Sequence, residues 1–373
     1  MSRTLIDIHV LQTVPPSNIN RDDTGSPKTA VYGGVRRARV SSQAWKRSTR
    51  VSFNERLDPS EVGVRTRSVV ELLAAEITKQ SPDLEPRSIE LAEQTFKAIG
   101  IKVKVPPKAE VTESEYLLFM SRRQIQNLAA AAITAANADD VTKALKDSDV
   151  KALADREHSI DVALFGRMVA DQADINVDAA VQVAHAISVH PVETEFDYYT
   201  AVDDFQEEHE TGAGMIGTIE FNSSTLYRYA TVDANRLADN LGTGPALRRA
   251  VEVFLESFVR SMPTGKQNTF ANRTLPEAVV VMVRDSQPIN LVGAFENPIR
   301  ETATTGRTKL AAETLRDEAK EVERGYGESP INTWVTRIGA DTASLDSLGE
   351  SVAFAELVQQ VGASVTSRVG EGS

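Results

Sequence analysis

Residues 57–177 place apolar side chains at three- and four-residue spacing almost without interruption, whereas the segments on either side alternate as strands do. "SVVELLAAEITKQ", "RSIELAEQTFKAIG", "ESEYLLFMSRRQIQNLAAAAITAANA", "DDVTKALKDSDVKALADRE" and "DVALFGRMVADQ" all carry the helical period. Before them "TLIDIHVLQTV" alternates Leu5, Asp7 and His9 against Ile6, Ile8 and Val10, and Pro15 and Pro16 are expected to end that strand. After them "AAVQVAHAISVH", "GTIEFNSS" and "TLYRYATVD" read as strands, "PALRRAVEVFLESFVRSM" as a helix and "EAVVVMVRD" as a strand. Such a sequence must bring distant strands into one sheet around a helical insertion, which is an α+β fold. The C-terminal "GASVTSRVGEGS" reads as a frayed tail.

With 373 residues and 41% apolar content the chain can bury a substantial core. It contains no cysteine, which excludes disulfides, iron–sulfur clusters and thiolate zinc. Its five histidines, His9, His158, His185, His190 and His209, fall at no metal-ligand spacing, and no metal or cofactor is expected. The N-terminus lacks the pattern of a signal peptide and no apolar run reaches membrane-spanning length, so a cytoplasmic location without membrane contact is expected. "GAGMIG" (212–217) matches a dinucleotide fingerprint but is followed by a strand instead of a helix, and "GKQ" (265–267) lacks the P-loop's other residues.

Net charge is −12, unfavourable for a polyanion partner, but the charge is unevenly distributed. Residues 24–54 hold seven basic residues and no acidic one, whereas residues 168–227 hold twelve acidic residues and no Lys or Arg. One surface can therefore accept a polyanion while another repels it or docks on the basic surface of a second copy. A long Gly-, Pro- and Asn-rich stretch, "PPSNINRDDTGSPKTAVYGGV", reads as a functional loop leading into the basic patch.

In "GGVRRARVSSQAWKRSTR" Ser41 or Ser42 is a plausible helix cap, and Trp45, Thr49 and Phe53 share an inner face. Lys46 and Arg50 then form an adjacent stripe beyond the hydroxyls of Ser41 and Ser42 and the amide of Gln43. Free N–H groups at a helix start attract anions, so the pattern is that of a sugar–phosphate track that leaves bases unread. "PTGKQNTFANRT" is either a turn or a phosphate nest using Lys266 and Arg273, with Gln267 alongside. The acidic block places Phe196, Tyr198 and Tyr199 on one arm of an expected hairpin and Met215 and Ile216 on the other.

"NRDD", "GGVRRARVSSQAWKRSTR", "DVALFGRM", "YYTAVDD", "STLYRYATVD" and "MPTGKQNTFANRT", in this order, resemble the CasC-type backbone subunit of Cascade, the type I-E CRISPR interference complex. The resemblance implies a modified RRM (ferredoxin-like) palm, formed by residues 1–56, 179–190 and 218–373. Helical fingers would span 57–178 and a β-hairpin thumb 191–217. It implies a non-catalytic subunit whose copies assemble head to tail along CRISPR RNA, with target DNA, other Cascade subunits and, indirectly, a recruited helicase-nuclease as partners. RNA-gripping positions carry over to Arg21, Lys28, Ser41, Gln43, Lys46, Arg50 and Met168. Tyr198, Tyr199 and Ile216 carry over as wedges beside a flipped nucleotide, although some members have tryptophan and phenylalanine at the tyrosine positions. The alternative is a metal-dependent ribonuclease using Asp22 and Asp23 to hold Mg²⁺, although adjacent loop acids usually form turns or pair with arginines such as Arg21 or Arg37.

Overall fold

The computed structural model describes residues 3–107, 111–201 and 215–371. Strands β1 (Leu5–Ser17), β2 (Thr29–Tyr32) and β3 (Val35–Val40) precede helix α1 (Ser42–Phe53). There follow β4 (Gly63–Thr66), α2 (Val69–Gln80), α3 (Ser88–Ile99), the short β5 (Val103–Lys104) and β6 (Glu113–Ser114), and β7 (Leu118–Ser121). Helices α4 (Arg122–Ala135), α5 (Val141–Asp147), α6 (Val150–Leu153) and α7 (Ile160–Phe165) complete this middle region. The chain returns through β8 (Val181–Val183), β9 (Ala186–Ser188), β10 (Glu195–Ala201), β11 (Met215–Asp233), α8 (Ala234–Leu241), α9 (Pro245–Arg260) and α10 (Gln267–Phe270). It ends with β12 (Ala278–Arg284), α11 (Arg307–Tyr326), β13 (Asn332–Arg337), β14 (Glu350–Ser351) and α12 (Phe354–Glu371).

The fold is α+β, as expected. A ten-stranded sheet runs β14-β13-β12-β1-β11-β9-β3-β2, with β8 and β10 also paired to β11. Strand β1 lies between β11 and β12, antiparallel to both, so residues more than 200 positions apart are neighbours. The helical middle gathers its own apolar cluster from Val69 to Ile175, distinct from the clusters on the sheet.

Both faces of β1 are covered. Ile6, Ile8 and Val10 join the cluster beneath α9 and α12, while Leu11 joins the opposite cluster beneath α11. Asp7 and His9 point into that second face and are 0% and 1% exposed. Buried polar groups need partners; Asp7 has three, whereas His9 is partnered at Nδ1 and its Nε2 has no hydrogen bond in the protein. Asp7 accepts from Arg284 Nε at 3.0 Å, from the Ile289 N–H at 3.0 Å and from the Tyr229 hydroxyl at 2.7 Å. His9 Nδ1 lies 2.9 Å from the Tyr227 hydroxyl.

Four local expectations need correction. Pro15 and Pro16 do not end β1: the register shifts between Val14 and Ser17, and this bulge accommodates residues that cannot donate to a ladder. The expected long loop contains the β2–β3 hairpin, turned by Gly33 and Gly34 at φ 58° and 76°. Leu118–Ser121, read as helical, pairs with β4, and Ser121 then caps α4 by accepting from the Gln124 N–H. The C-terminus is no tail: Val361, Val365 and Val369 of α12 are buried in the main cluster. At Gly362 a Cβ would come within 2.7 Å of Glu252 Oε1, so a glycine lets α12 approach α9 closely.

Two measurements test this core. Replacing Arg284 with Met strands the Asp7 carboxylate and is expected to destabilise the chain by about 3–5 kcal/mol in urea unfolding. Burial lowers the pKa of His9 to about 3 and those of His158 and His190 to about 4, with Arg284, Arg167 and Arg307 respectively adding repulsion. The unfolded chain then binds more protons than the folded one below about pH 6.5, so stability falls between there and about pH 4. Burial raises the pKa of Asp7 and that of Asp161, so above about pH 3.8 these carboxyls bind protons more readily in the folded chain and offset part of the histidine trend. Equal urea midpoints at pH 7 and pH 5 would contradict the assignment.

Candidate nucleic-acid interface

Helix α1 begins where the sequence reading placed it. Ser41 has extended backbone and its hydroxyl accepts from the Ala44 N–H, while its own N–H donates to Asn20 Oδ1 at 2.8 Å. That second bond ties the helix start to the loop of residues 18–28. Trp45, Thr49 and Phe53 are buried, Lys46 and Arg50 are half-buried, and Gln43 and Arg47 are exposed. Burial lowers the pKa of Lys46 and that of Arg50, the latter being partly restored by Asp161. The Arg50 guanidinium also lies 5.3 Å from the Phe119 ring centre, so it bridges α1 to the helical region as well as extending the basic stripe.

The helix start is less open than its sequence implies. The Ser42 N–H donates to Nδ1 of His185 at 3.2 Å, and Arg39 approaches the same nitrogen at 3.5 Å. Burial, Arg39 and Lys28 all lower the pKa of His185, keeping this ring an acceptor at neutral pH. His185 was not read as part of the patch, because only the β9–β3 pairing carries it there. Arg37 departs from the patch in the other direction. It is 0% exposed, and its guanidinium binds the carbonyls of Tyr32, Ser188 and Phe295.

Arg228 anchors α1 from below. Its guanidinium carbon lies 3.7 Å from the Trp45 ring centre and 4.6 Å from that of Phe258. It donates to Gln12 Oε1 at 2.5 Å and to the Phe258 carbonyl. Burial lowers its pKa to about 9, which leaves it charged at neutral pH.

The loop of residues 18–28 is ordered by its own acid. Asp22 Oδ1 accepts from the Thr24 N–H, the Thr24 hydroxyl and the Ser26 N–H at 2.9, 2.7 and 3.0 Å. The Thr24 hydroxyl, with the backbone donors, holds the Asp22 carboxyl below its usual pKa. Asp22 therefore forms a turn, and Asp23 is exposed beside it. Among the described residues no three His, Cys, Asp or Glu side chains gather as a metal site.

The remaining candidates are spread over the surface. Arg21 is exposed in the same loop and Lys28 is half-buried at its end. Lys266 adopts φ 52° ahead of Gln267, which begins α10, and Ala271 adopts φ 46° after it. Left-handed backbone at two non-glycine residues is strained, which is common at binding loops. Gly265 lets this loop press against Ile19, where a Cβ would fall 2.4 Å from the Ile19 carbonyl oxygen. Met168 follows the α7 stop at Gly166, outside any helix, and is 81% exposed. Tyr198 and Tyr199 lie on β10, 62% and 37% exposed, near exposed Phe196. Met215 and Ile216 face Ala201 and Thr200 in backbone register, and residues 202–214 between these arms lie outside the described residues. Of the glycine-rich "GAGMIG", only residues 215–217 are described, and they are strand.

Truncating Ser41 to Ala removes the cap hydrogen bond and is expected to lower stability by about 1 kcal/mol, read as a shifted denaturant midpoint with unchanged slope.

The fold is similar to that of two solved chains. One, described as "CRISPR RNA-guided surveillance complex, pre-nicking", is 34% identical, has a TM-score of 0.84, and the match covers 97% of this chain and 100% of that one. The other, "CRISPR RNA-guided surveillance complex", is 29% identical at a TM-score of 0.62, covering 96% and 99%. No curated protein sequence matches. No helix among the described residues is long and apolar enough to cross a membrane. A family model described as CT1975-like protein matches residues 6–360, from the first strand into the last helix, and the chain belongs to this CRISPR-associated family, in keeping with its resemblance to Cascade backbone subunits.

Proposed function

We propose that this chain is a non-catalytic backbone subunit that holds CRISPR RNA by its phosphates and orders the bases for pairing with target DNA. The observation that carries the reading is the start of α1. A capped helix, the half-buried Lys46 and Arg50, and Lys28 on the adjoining loop form a phosphate-binding surface on a fold matched end to end by surveillance-complex chains. Specificity then resides in base pairing, with the protein supplying shape and charge. The sheet with α1, α8, α9, α11 and α12 acts as an RRM-like palm, the region 57–178 as fingers, and the β10–β11 hairpin as a thumb. Copies join head to tail, the acidic thumb of one meeting the basic surface of the next, and the contact repeats because its two sides differ. Tyr198 and Tyr199, with Met215 and Ile216, wedge beside a nucleotide and kink the guide at regular intervals. Arg21, Ser42, Met168, Lys266 and Gln267 extend the track.

Replacing Lys46 and Arg50 together with Ala is expected to weaken binding of every single-stranded RNA alike. It should also flatten the log–log salt dependence by about 0.7 for each lost phosphate contact. An unchanged salt slope in filter binding would refute the track. Replacing Tyr198 and Tyr199 with Ala is expected to preserve guide binding while abolishing evenly spaced nuclease protection along it.

A further inference from the structure

Residues 165–168, Phe-Gly-Arg-Met, send consecutive side chains to different parts of the molecule. Phe165 packs on the main cluster, its ring centre 6.1 Å from that of Phe53 on α1 and 6.2 Å from that of Phe254 on α9. Gly166 turns the chain at φ 77°, where a Cβ would fall 2.8 Å from the Val177 carbonyl oxygen. Arg167, 4% exposed, then enters the helical region. Its Nε and Nη2 donate to the Ile175 carbonyl at 2.8 and 2.6 Å, Nη2 also to Asp155 Oδ1 at 3.1 Å, and Nη1 to Gln124 Oε1 at 3.3 Å. Its backbone exchanges two hydrogen bonds with Val177, at 2.9 and 2.8 Å. On the far side of Met168, Val169 is 1% exposed within the helical region's cluster, and its N–H donates to Asn176 Oδ1 at 2.5 Å. Met168 itself, between these two anchored residues, is 81% exposed. The fold gains nothing from an apolar side chain left in water, yet the bonds on both sides remove its backbone freedom. Ordering a contact in advance lowers the cost of binding.

We infer that Arg167 and Asn176 are positioning residues that act through Met168, holding its side chain out as a rigid apolar contact for a base of the bound RNA. The inference rests on the RNA-binding reading and adds to it the device that holds this contact in place. Met168 has no charge and no donor, so it meets a base or ribose face and not a phosphate. A buried ion pair adds little net stability over apolar packing, and the return from Arg167 and Asp155 is orientation of the neighbouring residue. Phe165 ties the same four residues to α1, so Met168 keeps a fixed distance from Lys46 and Arg50.

The test is a double-mutant cycle on the full chain with single-stranded RNA long enough to span several copies. Met168→Ala is expected to weaken binding about fivefold, the middle of the range for a thioether on an aromatic face. Arg167→Lys keeps the charge without the planar fork, and is expected to weaken binding to the same degree and to lower the urea midpoint. Asn176→Ala, at an exposed residue, is expected to weaken binding likewise with little change of midpoint. Adding either substitution to Met168→Ala should weaken binding no further, because nothing is left to position. Residues that only support the fold would multiply with Met168→Ala, to about twenty-fivefold, and that result overturns the inference. Wild-type affinity in Met168→Ala or in Asn176→Ala overturns it as well. The log–log salt slope should be the same in all these variants, and a slope flatter by about 0.7 in Arg167→Lys would instead make Arg167 a phosphate contact. If Arg167→Lys does not fold, the Asn176→Ala cycle decides by the same outcomes. In the same assay, weaker binding and a flatter slope in the Lys46→Ala, Arg50→Ala control show that the RNA-binding reading stands whatever the cycle gives. Unchanged binding in that control refutes the broader reading instead.

Discussion

Arg228 is a cation taken out of water and stacked between two aromatic rings, and the position of the candidate interface depends on it. A buried guanidinium is tolerable only when its hydrogen bonds and charge are otherwise compensated. Here the π-faces of Trp45 and Phe258 provide the charge compensation and Gln12 with the Phe258 carbonyl accepts from Nη1 and Nη2, while Nε has no acceptor in the protein, so the compensation is partial. The same side chain therefore joins β1, β11, α1 and α9. Fixing α1 in this way fixes Ser41, Lys46 and Arg50 relative to the sheet, which a surface helix held by apolar contacts alone would do with less angular precision.

Much of the fold is legible because its signals are local. The Ser41 cap, the Trp45–Thr49–Phe53 face, α9 and β12 all follow from spacing within one element. The errors share a different cause, in that tertiary contacts overrode local preference. Leu118–Ser121 sits within a helical period yet is recruited by β4. The small, polar C-terminal residues become helical because Val361, Val365 and Val369 meet a core assembled elsewhere. The β2–β3 hairpin had a readable sign, two glycines between short β-like runs, which the surrounding polar composition obscured.

The candidate site was less legible than the fold. Its basic stripe is contiguous in sequence and was found, but Arg37, inside that stripe, turns inward to bind carbonyls. The members contributed by remote strands, His185 from the β8–β9 segment and Arg228 from β11, have no motif of their own. They become neighbours of α1 only through sheet pairing. Asp22 illustrates the converse: an acid pair suggestive of metal chemistry is, in its surroundings, the organiser of a turn.

Strand β11 passes without interruption from its pairing with β1 to its pairing with β10, 19 residues in all, or about 60 Å. Tyr199 stands directly opposite Gly217, where a Cβ would come within 2.4 Å of its ring. A strand presents alternate residues to opposite faces, so inserting or deleting one residue in it would invert the outer segment relative to the core. It would also move Tyr199 off Gly217, whose missing side chain leaves room for the ring. A single-residue insertion or deletion within the paired part of β11 is thus expected to be tolerated only with a compensating bulge.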